Sequence, residues 1–411
     1  MTFYPDPTNG GDTIQGEYKG DGSPLFWLAL RTGFLTLLTL GIYRFWAKTR
    51  IRRYMWSATA PGGVPFEYTG KGLEKFLGFL VAIVILAVYL GIMQMILFAI
   101  GLSVLSGGTT EQEIIAQALA TQITLLGLVP LLYIARYRGR RYLLSRTRWR
   151  GIRFGADKGS VGYMWRGLGY TLLSAITLGI LVPLAMFKLE KYMTDRTWYG
   201  DAKFEQGGKW TMLYRSFFHV FIAILVIIGG VVLGAVTQIE ALIIVGVGVG
   251  CIWFFFGIVY FQVKSFALLT NTKTLSNGVT FTTAPRTGTV IYHFIIGGLI
   301  AGILTAVAAI PVGFIIFALI GLTGGFNETD TLFNGPLGYM VAVVVFLGYL
   351  FIFVLAQAFA MVFITQPIQA HYTNVTQVNT AQGLATVRQR EGDNIADAEG
   401  FADALDVGGG F

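Results

Sequence analysis

"TLLTLGIYRFWAKTRIRRYM", residues 36–55, decides how this chain is built. It begins as apolar sequence suited to a bilayer and passes a Thr-Leu-Gly-Ile step centred on Gly41. It ends in a dense basic run: Arg44, Lys48, Arg50, Arg52 and Arg53. Either the chain crosses a membrane here, or it enters and turns back.

The surrounding composition makes the bilayer the relevant solvent. Of 411 residues, 54% are hydrophobic and only 13% charged, with mean hydropathy +0.64. Soluble domains carry about 25% charged residues, and one core of this length could not bury so much apolar surface. About 20 apolar residues are needed to cross the hydrocarbon. Six runs satisfy this: 76–105, 114–134, 217–236, 241–263, 290–322 and 337–364. Pro130 and Pro311 mark expected kinks within them. Two shorter runs, 24–43 and 163–187, are ambiguous. Each carries one arginine, Arg31 or Arg166, and each contains Thr-Leu-Gly-Ile, at Thr39–Ile42 and Thr177–Ile180. The polar N-terminus lacks the basic start and apolar core of a cleavable leader, so the first apolar run is expected to direct insertion.

Loop charge discriminates between six and eight crossings, because cytoplasmic flanks collect Lys and Arg. The connections 106–113, 237–240 and 323–335 contain no Lys or Arg, only acidic charges. The other connections are basic. If both ambiguous runs span, basic segments fall on both sides. If neither spans, every basic connection is cytoplasmic and every acidic loop lies outside. The sequence therefore predicts an all-α polytopic membrane protein: six transmembrane helices plus two re-entrant or half-inserted helical elements, with both termini cytoplasmic. Thr39 and Gly41, and Thr177 and Gly179, are the expected turns. Eight plain spans are the alternative.

The register around the two tetrads extends further. Tyr54-Met55 matches Tyr192-Met193, Thr59 matches Thr197, and Phe66-Glu67 matches Phe204-Glu205. This reads as an internal tandem duplication. A smaller cassette, Thr followed seven positions later by Phe, occurs as "TAPGGVPF", "TRWRGIRF", "TWYGDAKF" and "TLSNGVTF". Each has a mid-way glycine (Gly63, Gly151, Gly200, Gly278) that suits a tight hairpin turn. Short cytoplasmic β-hairpins are thus expected between the membrane segments. The domain boundaries follow: a polar segment 1–23, membrane repeat one at 24–160, repeat two at 161–287, a C-terminal helix pair at 288–364, and a disordered acidic tail at 365–411.

On "LLTLGIYRFWAKTRIRRYM", "FEYTGKGLEKFLGF" and the second "TLGI…KYM" the sequence resembles the YjgN family of bacterial inner-membrane proteins, a domain of unknown function. The second block departs from the first: "GILVPLAMFKLEKYM" lacks Tyr-Arg-Phe-Trp. The resemblance implies a multi-pass protein of the bacterial inner membrane and carries no biochemical activity with it.

The usual catalytic signatures are missing. There is no phosphate-binding G-x-x-x-x-G-K-[ST] and no G-x-S-x-G. The three histidines, His219, His293 and His371, are scattered and read as packing or interface residues rather than metal ligands. No cofactor, metal or enzymatic role is expected, although lipid modification stays open. The run "ARYRGRRYLLSRTRWRGIRF" interleaves Arg with Tyr and Trp. Beside a span it reads as a lipid-facing anchor rather than a nucleic-acid site, since each basic residue near an anionic leaflet contributes about 1 kcal/mol. Arg44, Lys48, Arg52, Arg138, Arg141 and Arg148 are the expected anionic-lipid contacts. Arg31 and Arg166 are the intramembrane charges with a candidate function. Expected partners are membrane lipids, above all anionic headgroups, and further copies of the chain. The function expected is transport, channel activity or lipid handling without nucleotide hydrolysis. The alternative is a non-transporting scaffold or assembly factor that recruits a cytoplasmic partner through its hairpins.

Overall fold

The computed structural model describes residues 13–104, 110–322 and 336–390. The polar segment 1–12, parts of two acidic loops (105–109 and 323–335) and the acidic stretch 391–411 lie outside the described residues. Six long apolar helices fit a multi-pass membrane protein: Gly72–Ala99, Glu111–Ser145, Trp210–Thr237, Glu240–Asn271, Thr287–Gly321 and Gly338–Asn374. They coincide with the six runs read from hydropathy. Their outward side chains are largely exposed within the chain, as lipid-facing residues must be.

The described elements alternate in a regular order. Strand β1 (Thr13–Gln15) precedes helices α1 (Gly22–Leu38) and α2 (Arg44–Ala58). Strand β2 (Phe66–Tyr68) leads into α3 (Gly72–Ala99) and α4 (Glu111–Ser145), which return to β3 (Thr147–Trp149). Strand β4 (Ile152–Ala156) leads into α5 (Ser160–Ile176) and α6 (Val182–Thr194), which return to β5 (Thr197–Tyr199). Strand β6 (Ala202–Gln206) leads through a short 3-10 turn into α7 (Tyr214–Thr237) and α8 (Glu240–Asn271), then β7 (Lys273–Leu275). Finally β8 (Thr280–Thr283) precedes α9 (Thr287–Tyr292), which continues through a π-helical turn into α10 (Gly298–Leu322). Helix α11 (Pro336–Ala360) continues through a second π turn into α12 (Gln366–Asn374) and β9 (Thr376–Asn379). Strand, helix, helix, strand thus recurs, with the Tyr18–Thr59 bridge serving as the strand pair of the first helix pair.

The strands form one nine-stranded sheet, ordered β1-β9-β8-β7-β6-β5-β4-β3-β2. The short hairpins expected from the sequence thus belong to one continuous sheet. The hairpins β3–β4, β5–β6 and β7–β8 are present, but each strand also pairs with the strand at the other end of its helix pair. An isolated two-stranded hairpin is marginal, and a shared sheet removes that weakness. The four glycines singled out by spacing all have positive φ: Gly63 +78°, Gly151 +79°, Gly200 +57° and Gly278 +79°. The cassette phenylalanines line up across the strands. Phe66–Phe154, Phe154–Phe204 and Phe204–Phe281 have ring centroids 6.2, 6.5 and 5.9 Å apart. The intervening strands supply directly opposed aromatic pairs, Phe66–Trp149 at 5.8 Å and Phe154–Tyr199 at 4.7 Å, the kind of cross-strand contact that stabilises a sheet.

The chain divides into two compact units. One holds Phe66–Thr283 with 13–14 and 377–390, the other Gln15–Pro65 and Ala284–Thr376. In the first, α7 and α8 pack through glycines. A Cβ on Gly230 would lie 2.6 Å from the Gly246 Cα, and one on Gly250 would lie 2.3 Å from the Ile227 side chain. Small residues of this kind let membrane helices approach closely. Helix α4 begins with a capping box, in which Thr110 and Glu113 each accept the other's backbone N–H. In the second unit, the two π turns, His293–Gly297 and Met361–Thr365, pack so closely that a Gly297 Cβ would sit 2.2 Å from the Phe363 carbonyl. These turns are where the helical bonding changes, whereas α4 and α10 run on through Pro130 and Pro311.

The tail boundary also shifts. Residues 366–386 hold α12, β9 and a 3-10 turn rather than a disordered start of the tail. Further along, Arg388 donates its backbone N–H to Asp201, Gln389 accepts from the Arg153 N–H, and Arg390 pairs with Asp157 at 3.4 Å. The sequence after 364 looked like a tail because its apolar period ends there. It is instead the fifth return to the sheet.

Candidate functional site

The two Thr-Leu-Gly-Ile tetrads fold alike. Helix α1 ends at Leu38, α2 starts at Arg44, and Leu40 (φ +50°) and Gly41 (φ +91°) reverse the chain between them. Helix α5 ends at Ile176, α6 starts at Val182, and Leu178 (+49°) and Gly179 (+87°) do the same. Every amide of the first turn has an acceptor. Leu40 bonds to Leu37, Gly41 to Thr36, Ile42 to Thr39, and Arg44 to Gly41. The Tyr43 N–H goes to Thr39 Oγ1 at 2.9 Å, and that hydroxyl donates back to the Leu35 carbonyl at 2.8 Å. The second turn repeats this bond for bond: Leu178 to Ala175, Gly179 to Ser174, Ile180 to Thr177, Val182 to Gly179. Leu181 reaches Thr177 Oγ1 at 3.3 Å. The first two bonds of each set form a Schellman closure. The threonine then ties the end of one helix to the start of the next. A leucine in left-handed geometry costs about 1–2 kcal/mol, yet Leu40 is 96% exposed and Leu178 85%. Each turn therefore presents an apolar tip whose amide N–H groups all have acceptors, and at the second turn the Ile180 carbonyl also accepts the Tyr214 hydroxyl at 2.8 Å.

The bases of the hairpins are fastened by tyrosines. Tyr54 donates to the Asp21 carbonyl at 2.6 Å, and Tyr192 donates to that of Gly159 at 3.0 Å. Tyr142 does the same job for α3 and α4 by donating to Glu74 Oε2 at 3.1 Å. The fourth copy, with Leu269, has no hydroxyl there and buries the side chain in an apolar cluster with Phe217 and Phe261.

Two sequence-derived charges reach contrasting surroundings. In the second unit, Arg31 is exposed on α1 and borders a groove of about 240 Å³ between α1 and α11. Trp27, Leu30, Phe34, Phe351 and Val354 line the groove. Helix α1 comes close to α11 at Gly33, whose Cβ would lie 2.6 Å from Val354. In the first unit, Arg166 is exposed on α5 and stacks on the Tyr192 ring at 4.6 Å.

The basic residues expected to contact lipid separate into different environments. Arg44 is exposed at the start of α2 and Lys48 is half-buried. Arg52 is only 4% exposed, so it does not offer its guanidinium to a headgroup. Steps of four residues drift by about 40° each on a 3.6-residue helix. Arg52 has therefore rotated onto the buried stripe of Phe45 and Thr49. Arg138 is half-buried on α4, while Arg141 donates from Nε to the Ala156 carbonyl at 3.0 Å. Arg148 lies in the sheet, registered against Glu67 and Arg153. The histidines stay apart in role: His219 packs edge-on to Tyr260, and His371 Nε2 accepts the Arg286 N–H.

One cluster was not legible in the sequence. Glu190 on α6 pairs with Lys273 at 2.9 Å and Arg140 at 3.2 Å, and accepts a bond from Thr194. Its side chain is 19% exposed. Burial pushes the carboxyl up, but Arg140 and Lys273 outweigh burial and hold it well below the usual carboxylate range. Within "KLEKY" it looks like an ordinary solvated charge. Its partners lie 50 and 83 positions away. Beside it Tyr137, Tyr163, Leu189, Tyr192 and Met193 form a buried box.

A family model described as "Bacterial protein of unknown function (DUF898)" matches residues 13–306. The chain belongs to this family. Relatives include the inner membrane protein YjgN of Salmonella typhimurium strain LT2, 32% identical over 19% of this chain and 20% of the relative. YjgN of Escherichia coli O157:H7 is 28% identical and that of Escherichia coli K12 27%, each over 39% of this chain and 36% of the relative. The matched stretch thus spans little more than a third of those relatives at most. No solved structure matches the chain. The family and the six apolar helices together make this a YjgN-like multi-pass membrane protein.

Two predictions follow from the geometry. Thr177→Val keeps the shape but removes the hydroxyl that serves both helices. It should destabilise the protein by about 1–3 kcal/mol, read as a lowered thermal midpoint in lipid nanodiscs; an unchanged midpoint would contradict the role given to Thr177. Glu190→Gln leaves Arg140 and Lys273 without their carboxylate and should cost about 3–5 kcal/mol. The folded carboxyl titrates below its unfolded value of 4.5. Its contribution is therefore complete above that value and fades as pH falls toward the folded value. The stability gap between wild type and variant should be constant from about pH 6 to 8 and narrow only below about 4.5. A gap that narrows on raising the pH instead would refute the assignment.

Proposed function

We propose that this protein handles phospholipid in the bacterial inner membrane, with its sheet and both termini on the cytoplasmic side. The six long helices cross, and the α1–α2 and α5–α6 hairpins enter only part-way. Helix length supports partial entry. Helix α1 has 17 residues and α6 has 13, or about 26 and 20 Å, against a hydrocarbon core of about 30 Å. Each hairpin base is clasped at its polar end, so the apolar tip is the part left for lipid. Sidedness is supported by charge. In the first unit the sheet-side ends of the helices carry Arg136, Arg166, Lys188, Arg215 and Lys264, and the far ends carry Glu111, Glu113 and Glu240. The recurring strand–helix–helix–strand order agrees with an origin by internal duplication.

The observation that carries the lipid reading is the Arg31 groove. Its walls are apolar and aromatic, and a single cation stands at its edge. That pairing fits an acyl chain with a phosphate beside it better than it fits an ion pathway. Entry of charge into a bilayer is expensive unless it serves such a partner. No catalytic step is part of this reading.

Two measurements test it. A nitroxide attached at Leu178→Cys, in a Cys251→Ser background, should show high collision with oxygen and low collision with a water-soluble nickel chelate. Strong access by the chelate would place the tip in water and end the half-inserted model. Arg31→Leu retains the apolar wall and removes the cation. In native mass spectrometry it should weaken dioleoylphosphatidylglycerol binding about tenfold and leave dioleoylphosphatidylcholine binding unchanged. Equal phosphatidylglycerol binding by wild type and variant would overturn the groove assignment.

A further inference from the structure

The base of the α5–α6 hairpin holds an arrangement that neither the sheet nor the hairpin requires. Arg166 from α5 and Arg196, just beyond α6, stack on the same ring: their Cζ atoms lie 4.6 and 3.6 Å from the centroid of Tyr192. Two cations on one ring repel each other, and a tyrosine face offsets only part of that. A carboxylate would normally stand between them. Among the described residues neither guanidinium forms an ion pair. The neighbouring acids are already engaged, Asp157 with Arg390 and Glu190 with Arg140 and Lys273. Each arginine spends one N–H on a backbone carbonyl, Arg166 on Gly162 at 3.0 Å and Arg196 on Tyr192 at 3.2 Å. The remaining donors of each fork are available.

Both guanidiniums converge on the first turn of α5. A Cβ built on Gly162 would stand 3.2 Å from Arg166 Nη1 and 2.5 Å from the Tyr192 hydroxyl. One on Gly159 would stand 3.3 Å from Arg196 Nε and 2.9 Å from the same hydroxyl. Two glycines thus let the Tyr192 hydroxyl and both forks pack directly against the start of α5, with the Tyr137 hydroxyl 3.1 Å from the Gly159 Cβ position. The helix start adds to the positive field. Gly159 provides no side-chain cap, and the opening amides of a 17-residue helix point outward there. Trp165, next to Arg166, is 66% exposed, as suits a residue at the membrane interface.

We infer that Arg166, Arg196 and the start of α5 form a receptor for the phosphate of an anionic phospholipid headgroup. This rests on the lipid-handling reading, but the site lies in the first unit and is separate from the Arg31 groove in the second. The guanidinium forks supply charge-assisted, bidentate bonds to phosphate oxygens, and Tyr192 holds the forks in place. The lipid source follows from position: the site is at the basic end of the helices, beside an exposed tryptophan.

The test uses the full chain in detergent, in the Arg31→Leu background so that the groove does not contribute. Native mass spectrometry would measure binding of dioleoylphosphatidylglycerol, with dioleoylphosphatidylcholine and inorganic phosphate as separate arms. Arg166→Gln and Arg196→Gln should each weaken phosphatidylglycerol binding about tenfold. Arg215→Gln, an exposed arginine at the same end of α7, should leave it unchanged. Arg196→Lys should fold like wild type and still lose most of the binding, since a point charge does not replace the fork; this guards against a glutamine variant that fails to fold. Equal losses for Arg215→Gln and Arg166→Gln would show generic attraction and overturn the site. Protection by inorganic phosphate with no preference for phosphatidylglycerol over phosphatidylcholine would overturn the lipid assignment. Loss at Arg166 and Arg196 without any effect of Arg31→Leu on the parent chain would retain this site and remove the groove.

Discussion

In a bilayer, a backbone amide without a partner has no water to fall back on, and each one costs several kcal/mol. The two Thr-Leu-Gly-Ile turns meet this constraint with local means. A Schellman closure takes the amides of Leu40 and Gly41, and of Leu178 and Gly179. One threonine hydroxyl then serves both flanking helices. The cost is a leucine held at positive φ in each turn. What it secures is a tip that stays apolar with its amides met locally, while at the second turn Tyr214 of α7 also donates to the Ile180 carbonyl.

The tyrosine clasps lie at the opposite end of each hairpin. There Tyr54, Tyr142 and Tyr192 fasten returning helices to the residues that open the outgoing ones. The strands then join helix pair to helix pair, and the phenylalanine row gives the sheet a continuous apolar face. Glu190, Arg140 and Lys273 tie α6, α4 and β7 together with paired buried charge. Such a triad is costly to break and adds little if replaced whole by apolar packing. Its use here is in fixing which elements meet.

The same division of labour shapes the lipid reading. In that reading Trp27, Phe34 and Phe351 are the apolar wall for acyl chains, and Arg31 stands at its margin. Arg166 and Arg196 stack on one shared ring, that of Tyr192, and neither pairs with an acid among the described residues. Arg52, Arg141 and Arg148, by contrast, are absorbed into helix packing, a carbonyl bond and the strand register.

The spans and both turn positions were legible in the sequence because each depends on local order: about 20 apolar residues, or a glycine two places after a threonine. Hairpin glycines such as Gly151 were legible for the same reason, since positive φ leaves a mark at one position. The candidate anion site was half legible. Arg166 stood out as a charge in an apolar run, but Arg196 read as one more base in a basic loop. Glu190 was hidden entirely, because a glutamate between two lysines looks solvated until residues 50 and 83 positions away close over it. The continuous sheet was hidden too. Its short strands, mostly three to five residues, carry too little alternation to declare their partners. Local sequence fixed where the chain bends and which stretches seek lipid. Only the tertiary structure decided which charges are buried, which are paired and which remain open to a ligand, because those properties belong to the space between elements.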